Sequence, residues 1–460
     1  MSGALGLDGT VVVAGASLAG LRATQALRDG GFRGRIVMVG EEPHPPYDRP
    51  PLSKQVLAGT WSADTIALAD AGQLAELGVE LRLGHRAVAL DAVRRRVTID
   101  DGVVVDADGV VIATGARPRR LLAAARSDPP QAPRGTPARA ARGQAAPEST
   151  GDVVRVIRTI EDTEGLRARI DEVGPGCRVA VVGGGFIGSE VAATCSGLGC
   201  AVTVLEALPT PLAPAVGERV GAALGELHSR HGVALRTSAV VESVSGGSPD
   251  AQVVLADGDV VTADVVVAGI GVVPNTEWLE GSGLEVDDGV VCDHALFAAD
   301  GIVAAGDLAR WRWRHGAEEE DLRIEHWEVA AQMGAAAGRS LLAGRRTAPA
   351  FDPVPYFWSD QYGLKIQVLG HPDPTDEVAV VMGSLDGPAA VGRGDRAPSA
   401  EEAAAAGAQP DASKFVVVFG RRGRLSAVLA VSRPRQLMAF RPLLVAGASF
   451  DEAIALLEGG

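Results

Sequence analysis

Residues 179–206 read VAVVGGGFIGSEVAATCSGLGCAVTVLE. Val179–Val182 is an uninterrupted apolar run of the length of a buried strand. A glycine turn follows, then a stretch of small and apolar residues from Phe186 to Gly197 with the length of a helix, then a second apolar run, Ala201–Leu205, ending on Glu206. The turn has the spacing Gly183-x-Gly185-x-x-Gly188. In a strand–turn–helix unit the first glycine permits a tight turn, the second lets a pyrophosphate approach the backbone, and the third lets the helix pack on the strand. The helix N-terminus then faces the phosphates. Glu206 lies 23 residues after Gly183, where a carboxylate can accept a hydrogen bond from a ribose 2′-hydroxyl and repel a 2′-phosphate. No lysine or arginine follows before Arg219, so the unit reads as a site for NADH rather than NADPH.

The same pattern occurs once more, upstream. Residues 11–41 read VVVAGASLAGLRATQALRDGGFRGRIVMVGE: strand, turn, helix, strand, acid. The turn here is Gly15-Ala16-Ser17-Leu18-Ala19-Gly20, with Ser17 in place of the middle glycine, and Glu41 follows 26 residues after Gly15. Each unit closes on a further apolar run, Val110–Gly115 in the first and Val265–Gly269 in the second. One glycine fingerprint alone is weak evidence; two, each with its strand, helix and terminal acid, predict two nucleotide-binding modules.

The rest of the chain sets bounds. With 460 residues about three domains are expected, and 47% hydrophobic residues suffice for several cores. The N-terminus has no basic start, and no apolar run approaches the ~18 residues of a membrane helix, which points to a cytoplasmic protein. Cys177, Cys195, Cys200 and Cys292 show no Cys-x-x-Cys spacing, as suits a reducing compartment. A net charge of −15 argues against nucleic-acid binding, although Arg310, Arg312 and Arg314 form one local basic cluster and Arg421, Arg422 and Arg424 another. Two stretches of low complexity, 123–150 and 392–413, read as insertions. Leu364–Leu369, Val378–Met382, Phe415–Phe419 and Ser426–Val431 read as strands of a C-terminal domain.

Four further segments occur in a fixed order: Pro46-Tyr-Asp-Arg49-Pro-Pro-Leu-Ser-Lys54, Val303-Ala-Ala-Gly306-Asp307, Arg323-Ile-Glu-His-Trp327-Glu328 and Tyr356-Phe-Trp-Ser-Asp-Gln361. Together with the fingerprints they resemble the oxygenase-coupled, NADH-dependent ferredoxin reductases, flavoproteins of the putidaredoxin reductase and biphenyl dioxygenase reductase type. The resemblance covers nearly the whole chain. It implies a glutathione-reductase-like α/β fold with two Rossmann-like domains, for FAD and NAD, plus an α+β C-terminal domain. The expected division is 1–150 for the first part of the FAD domain, 151–268 for the NAD domain, 269–349 for the second part of the FAD domain and 350–460 for the C-terminal domain.

Carried over residue by residue, the resemblance gives FAD to Gly15, Ser17, Ala19 and Gly20 at the pyrophosphate, and to Glu41 at the adenosine ribose. Arg49 and Lys54 are expected near phosphate and flavin, Lys54 to stabilise negative charge as the flavin accepts hydride. Thr114, Gly115, Asp307 and Arg158 join the cofactor-binding set, with Asp307 on the ribityl chain. Ala87 is similar to a position whose backbone lies by the adenine; plain strand packing is the alternative. For Arg158 the alternative is an ion pair with Glu161 or Asp162. Trp327 is expected to open a helix running to about Leu342, whose positive end favours the anionic reduced flavin. On the nicotinamide side the resemblance adds Ile187, Glu190 and Gly271 to Gly183, Gly185, Gly188 and Glu206. Lys54, Glu190 and Trp327 are the expected catalytic residues.

Disulfide reductases of this architecture need a cysteine pair beside the flavin, and none has suitable spacing here; Cys195 and Cys200 are read as packing residues. Electrons must then leave the flavin directly for a one-electron acceptor. The expected acceptor is an acidic iron–sulfur ferredoxin serving a monooxygenase or dioxygenase, docking at Arg310-Trp311-Arg312-Trp313-Arg314. Rubredoxin reduction, or a redox-sensing role of the apoptosis-inducing-factor type, are the other readings, and monomer against homodimer stays open.

Overall fold

The computed structural model describes residues 5–121, 153–247, 249–315, 318–385 and 414–458; both expected insertions lie outside the described residues. The chain divides into two compact units. One takes in Met1–Pro51, Trp61–Arg117 and Val272–Gly460, the other Leu52–Thr60 and Pro118–Gly271. The short segment Leu52–Thr60 therefore belongs with the second fingerprint, although it follows the first in sequence.

The first unit is built on a six-stranded sheet in the order Phe297–Ala299, Ile302–Ala304, Gly109–Ile112, Thr10–Ala14, Arg35–Gly40, Val79–Leu83. Val12 pairs in parallel with Val37 on one side and Val110 on the other. Strands covered on both faces read as continuous apolar runs rather than alternating ones, which is why Val11–Val13 carries no polar residue. The helix Leu18–Asp29 packs against the helix Trp327–Ala343 at very short range. A Cβ at Gly334 would stand 2.3 Å from the Ala19 carbonyl oxygen, and one at Gly338 would stand 2.5 Å from that of Ala23. Small residues on both helices thus set how closely they approach. An antiparallel sheet of Ala87–Asp91, Arg96–Ile99 and Val104–Asp106 lies apart from the main one.

The same unit holds the C-terminal sheet, in the order Tyr356–Gln361, Leu364–Gly370, Arg424–Val431, Val416–Arg421, Glu377–Met382, with the helices Pro434–Ala439, Arg441–Ala446 and Phe450–Glu458. The four strands expected from sequence are present. Tyr356–Gln361, quoted above only as a motif, is a fifth.

The second unit has a parallel sheet in the order Ala234–Arg236, Ala201–Leu205, Arg178–Val182, Val265–Ala268, Val154–Arg155. An antiparallel ribbon of Val241–Ser245, Ala251–Leu255 and Val260–Ala263 and three long helices complete it. The helix Ile160–Val173 starts on a capping box, in which the Thr159 hydroxyl accepts from the Asp162 amide and the Asp162 carboxylate accepts from the Thr159 amide. Among the described residues no helix is long and apolar enough to cross a membrane.

Candidate functional site

In the first fingerprint Gly15 has φ +128°, and a Cβ there would stand 2.0 Å from the Ala113 carbonyl oxygen. A Cβ at Gly20 would stand equally close to the Gly15 carbonyl oxygen. Both positions therefore admit only glycine. The helix begins at Leu18 with Ser17 as its cap residue, yet the Ser17 side chain makes no capping bond. No acid occupies the first turn, so the helix's positive end is left for an anion. Glu41 follows the Arg35–Gly40 strand, exposed, with Arg86 Nη1 at 3.7 Å. Ala19 is buried, and its backbone and methyl group meet Gly334 and Gly306 across the helix contact. Ala87 is half-buried at the start of its strand.

Thr114 and Gly115 lie where the first unit's central strands end. Gly115 has φ +64°, and the Thr114 hydroxyl donates to the Asn275 carbonyl at 2.8 Å. Asn275 Nδ2 donates back to the Thr114 carbonyl at 2.9 Å, and Trp278 Nε1 lies 3.4 Å from the Thr114 hydroxyl. Asn275 and Trp278 were not singled out from sequence; a separation of about 160 residues leaves no local signal.

Arg49 is held by Glu42 at 2.6 Å and by the Tyr47 hydroxyl at 2.8 Å, with its guanidinium over the Tyr47 ring. Burial works against its charge, but Tyr47, Glu42 and Asp307 outweigh it and hold the guanidinium above its ordinary range. Trp327 opens the helix Trp327–Ala343, as expected, and its Nε1 donates to Asp48 Oδ1 at 2.5 Å. A hydrogen bond to a charged acceptor contributes about 1.5–3 kcal/mol, enough to fix the indole. The cap residue His326 makes no side-chain bond to the helix amides, although Glu328 stands in this helix's first turn, its carboxylate accepting from Gln332. The Asp307 carbonyl accepts from Arg323 Nη1 at 3.0 Å. Sequence reading named Arg49 and Trp327 but missed Glu42, Tyr47 and Asp48 as the groups that orient them.

The second fingerprint repeats the turn. Gly183 has φ +104°, and a Cβ at Gly188 would stand 2.0 Å from the Gly183 carbonyl oxygen. A Cβ at Gly185 would meet no protein atom within 4 Å, so this position keeps clear space at the helix N-terminus. Glu206 is buried, accepting from the Gly184 amide at 2.6 Å and the Leu208 amide at 2.8 Å. An ionised carboxylate has about four lone-pair positions, so two remain for a ribose. Ile187 is half-exposed, an apolar side chain left uncovered in the helix's first turn. Gly271 has φ +92°, and its carbonyl accepts from the Arg119 amide.

Within this unit the structure brings together two residues that sequence reading treated separately. Lys54 Nζ lies 2.7 Å from Glu190 Oε2, with side-chain exposures of 10% and 3%. Ser53 Oγ donates to the same oxygen at 2.6 Å, and the Thr194 hydroxyl donates to the Ser53 carbonyl, pinning the Leu52–Val56 turn to the fingerprint helix. Burying two ions costs several kcal/mol each before their attraction is counted. The Glu190 carboxylate thus ties both Ser53 and Lys54 of the turn to the fingerprint helix. Arg158 precedes the Ile160–Val173 helix, and its amide, like that of Thr159, donates to Asp162. The Asp162 carboxylate is thereby engaged by the backbone.

The expected alternation at Arg310–Arg314 is present: Trp311 and Trp313 are buried, and Arg312 and Arg314 are exposed. The strand Ala309–His315 pairs with Glu318–Leu322, and each arginine meets an acid: Arg310 with Asp287, Arg312 with Asp321 at 3.1 Å, Arg314 with Glu319 at 2.6 Å. The cluster is basic in sequence and close to neutral in space. Arg421 of the other cluster is likewise bound to Asp376 at 2.8 Å.

Of the four cysteines only Cys292 lies in the first unit, and it is buried, its thiol pushed up by desolvation. A dithiol in that unit is excluded by composition. The glycine turns, the open helix ends and the placed acids fit two dinucleotides.

Comparison with known proteins agrees. Residues 9–334 match the pyridine nucleotide-disulphide oxidoreductase model, and residues 356–392 match the reductase C-terminal model. The chain is 34% identical over 446 residues to the ferredoxin–NAD(+) reductase component of an anthranilate 1,2-dioxygenase system from Burkholderia cepacia, covering 96% of this chain and 95% of that one. It is 31% identical to putidaredoxin reductase from Pseudomonas putida, covering 97% and 96%. Among solved structures, the covalent putidaredoxin reductase–putidaredoxin complex superposes with TM-score 0.79 at 29% identity, covering 98% and 99%. The chain therefore belongs to the pyridine nucleotide-disulphide oxidoreductase family, on the ferredoxin-reductase branch that carries the reductase C-terminal module.

Proposed function

We propose that this protein is an NADH:ferredoxin oxidoreductase that feeds single electrons to an iron–sulfur protein serving a monooxygenase or dioxygenase. The observation that carries the reading is the pairing of two formed dinucleotide turns with the lack of any dithiol in the flavin-bearing unit. When bound, FAD takes two electrons from NADH as hydride and releases them one at a time. The protein's own residues do the rest. Gly15, Ser17, Ala19, Gly20 and Glu41 hold the adenosine diphosphate half, with Ala87 at the adenine. Arg49, Thr114, Gly115, Arg158, Asp307 and Trp327 hold and orient the flavin half. Gly183, Gly185, Gly188, Glu206 and Gly271 seat NADH, with Ile187 and Glu190 toward its nicotinamide. Lys54, held in place by Glu190, stabilises negative charge at the flavin.

In this reading FAD belongs to 1–150 and 269–349, NADH to 151–268, and the enzyme works in the cytoplasm, as monomer or homodimer, with its cysteines as free thiols. Its acceptor is acidic and docks at Arg310, Arg312 and Arg314. The exposed arginine face supports this; the ion pairs leave it hydrogen-bond donors rather than bare charge, so the salt effect is modest.

The test is anaerobic mixing of the FAD-loaded protein with NADH, then with oxidised [2Fe–2S] ferredoxins, putidaredoxin among them. Rapid flavin bleaching and repeated ferredoxin reduction are expected. Transfer to rubredoxin alone would favour the rubredoxin reading. A long-lived reduced flavin–NAD complex with no acceptor turnover would favour the sensor.

A further inference from the structure

Three of the four cysteines, far apart or unremarkable in sequence, meet in the second unit, at the far end of the helix that its glycine turn begins. The helix Phe186–Gly197 ends in a Schellman motif: the Cys200 amide donates to the Cys195 carbonyl at 3.0 Å and the Gly199 amide to the Ser196 carbonyl at 3.0 Å, with Gly199 at φ +82°. This motif brings the side chains at its two ends, here Cys195 and Cys200, into contact. Cys200 then leads into the strand Ala201–Leu205, which runs parallel to Arg178–Val182 with Ala201 opposite Arg178. Cys177, one residue before that pair, is therefore Cys200's neighbour across the sheet, and the Ala201 amide donates to the Cys177 carbonyl at 2.9 Å. The Cys200 thiol interacts with both the others. Cys195 and Cys177 are buried, while Cys200 is half-exposed.

We propose that Cys200 is a peroxide-reactive thiol and Cys195 its resolving partner, so that oxidation closes a disulfide between the C-terminal end of the fingerprint helix and the strand that delivers Glu206. The Cys200 sulfur attacks hydrogen peroxide; an S–O bond forms, the O–O bond breaks, and hydroxide leaves as water with the thiol proton. Cys195 sulfur then attacks the Cys200 sulfenic acid; the S–S bond forms, the S–O bond breaks, and a second water leaves. Two thiols lose two electrons and one peroxide becomes two waters. The neighbouring thiols, Cys195 first, lower the Cys200 thiol below its ordinary value against the opposing effect of burial. Its partner thiols are held high, Cys177 at about 12 chiefly by desolvation, and Cys195 first by its hydrogen bond with Cys200 and then by burial. The lowered thiol is therefore also the least buried of the three.

The test is treatment of the FAD-loaded protein with hydrogen peroxide, followed by thiol counting in denaturant and non-reducing peptide mapping. Wild type should fall from four free thiols to two, with Cys195 and Cys200 in one cross-linked peptide, and dithiothreitol should restore all four. Cys200→Ser should keep its remaining three thiols, and Cys292→Ser should still lose two. Unchanged thiols in wild type, or equal loss in Cys200→Ser, would overturn the proposal; so would a cross-link that uses Cys177 in place of Cys195.

Discussion

The two glycine turns share a backbone but not a state of readiness. Gly15 and Gly183 both take positive φ, and Gly20 and Gly188 both stand where a Cβ would strike the carbonyl of the first glycine. The acids differ. Glu41 is exposed, with only a loose arginine contact, whereas Glu206 is buried and tied to the amides of Gly184 and Leu208. The second turn also keeps clear space at Gly185 where the first has Ser17. A site that binds and releases a substrate each turnover gains from being formed beforehand, because less ordering is charged against affinity. A resident cofactor stays bound and can itself supply that order.

The largest expected effect follows from the shared feature. Gly15→Val should abolish FAD retention, since the branched side chain would run into Ala113 and the backbone could not keep its φ. The purified variant should lack flavin absorbance; normal flavin content would break the claim that this turn is the FAD cradle. Next comes the buried pair. Glu190→Ala should destabilise the protein by about 3–5 kcal/mol in denaturant unfolding, because it removes the partner of the buried Lys54 ammonium. The double variant Lys54→Met/Glu190→Gln should recover most of that loss. If the single variant is as stable as wild type, the pair is not held as described.

Glu206 sharpens the comparison. Glu206→Gln should narrow the preference for NADH over NADPH by more than tenfold in kcat/KM, as expected when a charged contact of about 1.5–3 kcal/mol is lost. Glu41→Gln should leave that ratio unchanged. The second unit also carries an acid-sensitive group: His228, 3.3 Å from Ser189 on the fingerprint helix, is pushed down to about 4, first by burial and then by His231. The folded state keeps it neutral while the unfolded chain takes up a proton below about 6.5. Its contribution is therefore intact above that pH and lost as pH falls toward 4, on the order of 2 kcal/mol by pH 5. His228→Gln should flatten unfolding free energy against pH across that window; an unchanged slope would remove His228 as the cause. Smallest is the docking face: Arg312→Glu should slow ferredoxin reduction a few-fold at low salt and less at high salt, since Asp321 already offsets its charge.

These residues also mark how far the sequence could be read. Both Rossmann units and the C-terminal strands were legible because each rests on local pattern, apolar runs and glycine spacing, whereas the helix from Trp327 was expected through the family resemblance. The orienting partners were not. Asp48 and Trp327, or Ser53 and Glu190, are separated by more than 130 residues, and no local period connects them. The arginine cluster is the opposite case. Its charges are adjacent in sequence, but the acids that offset them come from a partner strand and a separate turn. The thiols were judged by their spacing, although a helix-terminating motif and a parallel strand pair, both local devices, bring three of them together.

In the proposed function electrons leave the flavin without passing through a thiol. Its most direct test is the variant with all four cysteines replaced by serine, followed by stopped-flow from NADH through flavin to ferredoxin. Both steps should run within a few-fold of wild type. Flavin reduction that stays intact while ferredoxin reduction disappears would contradict it.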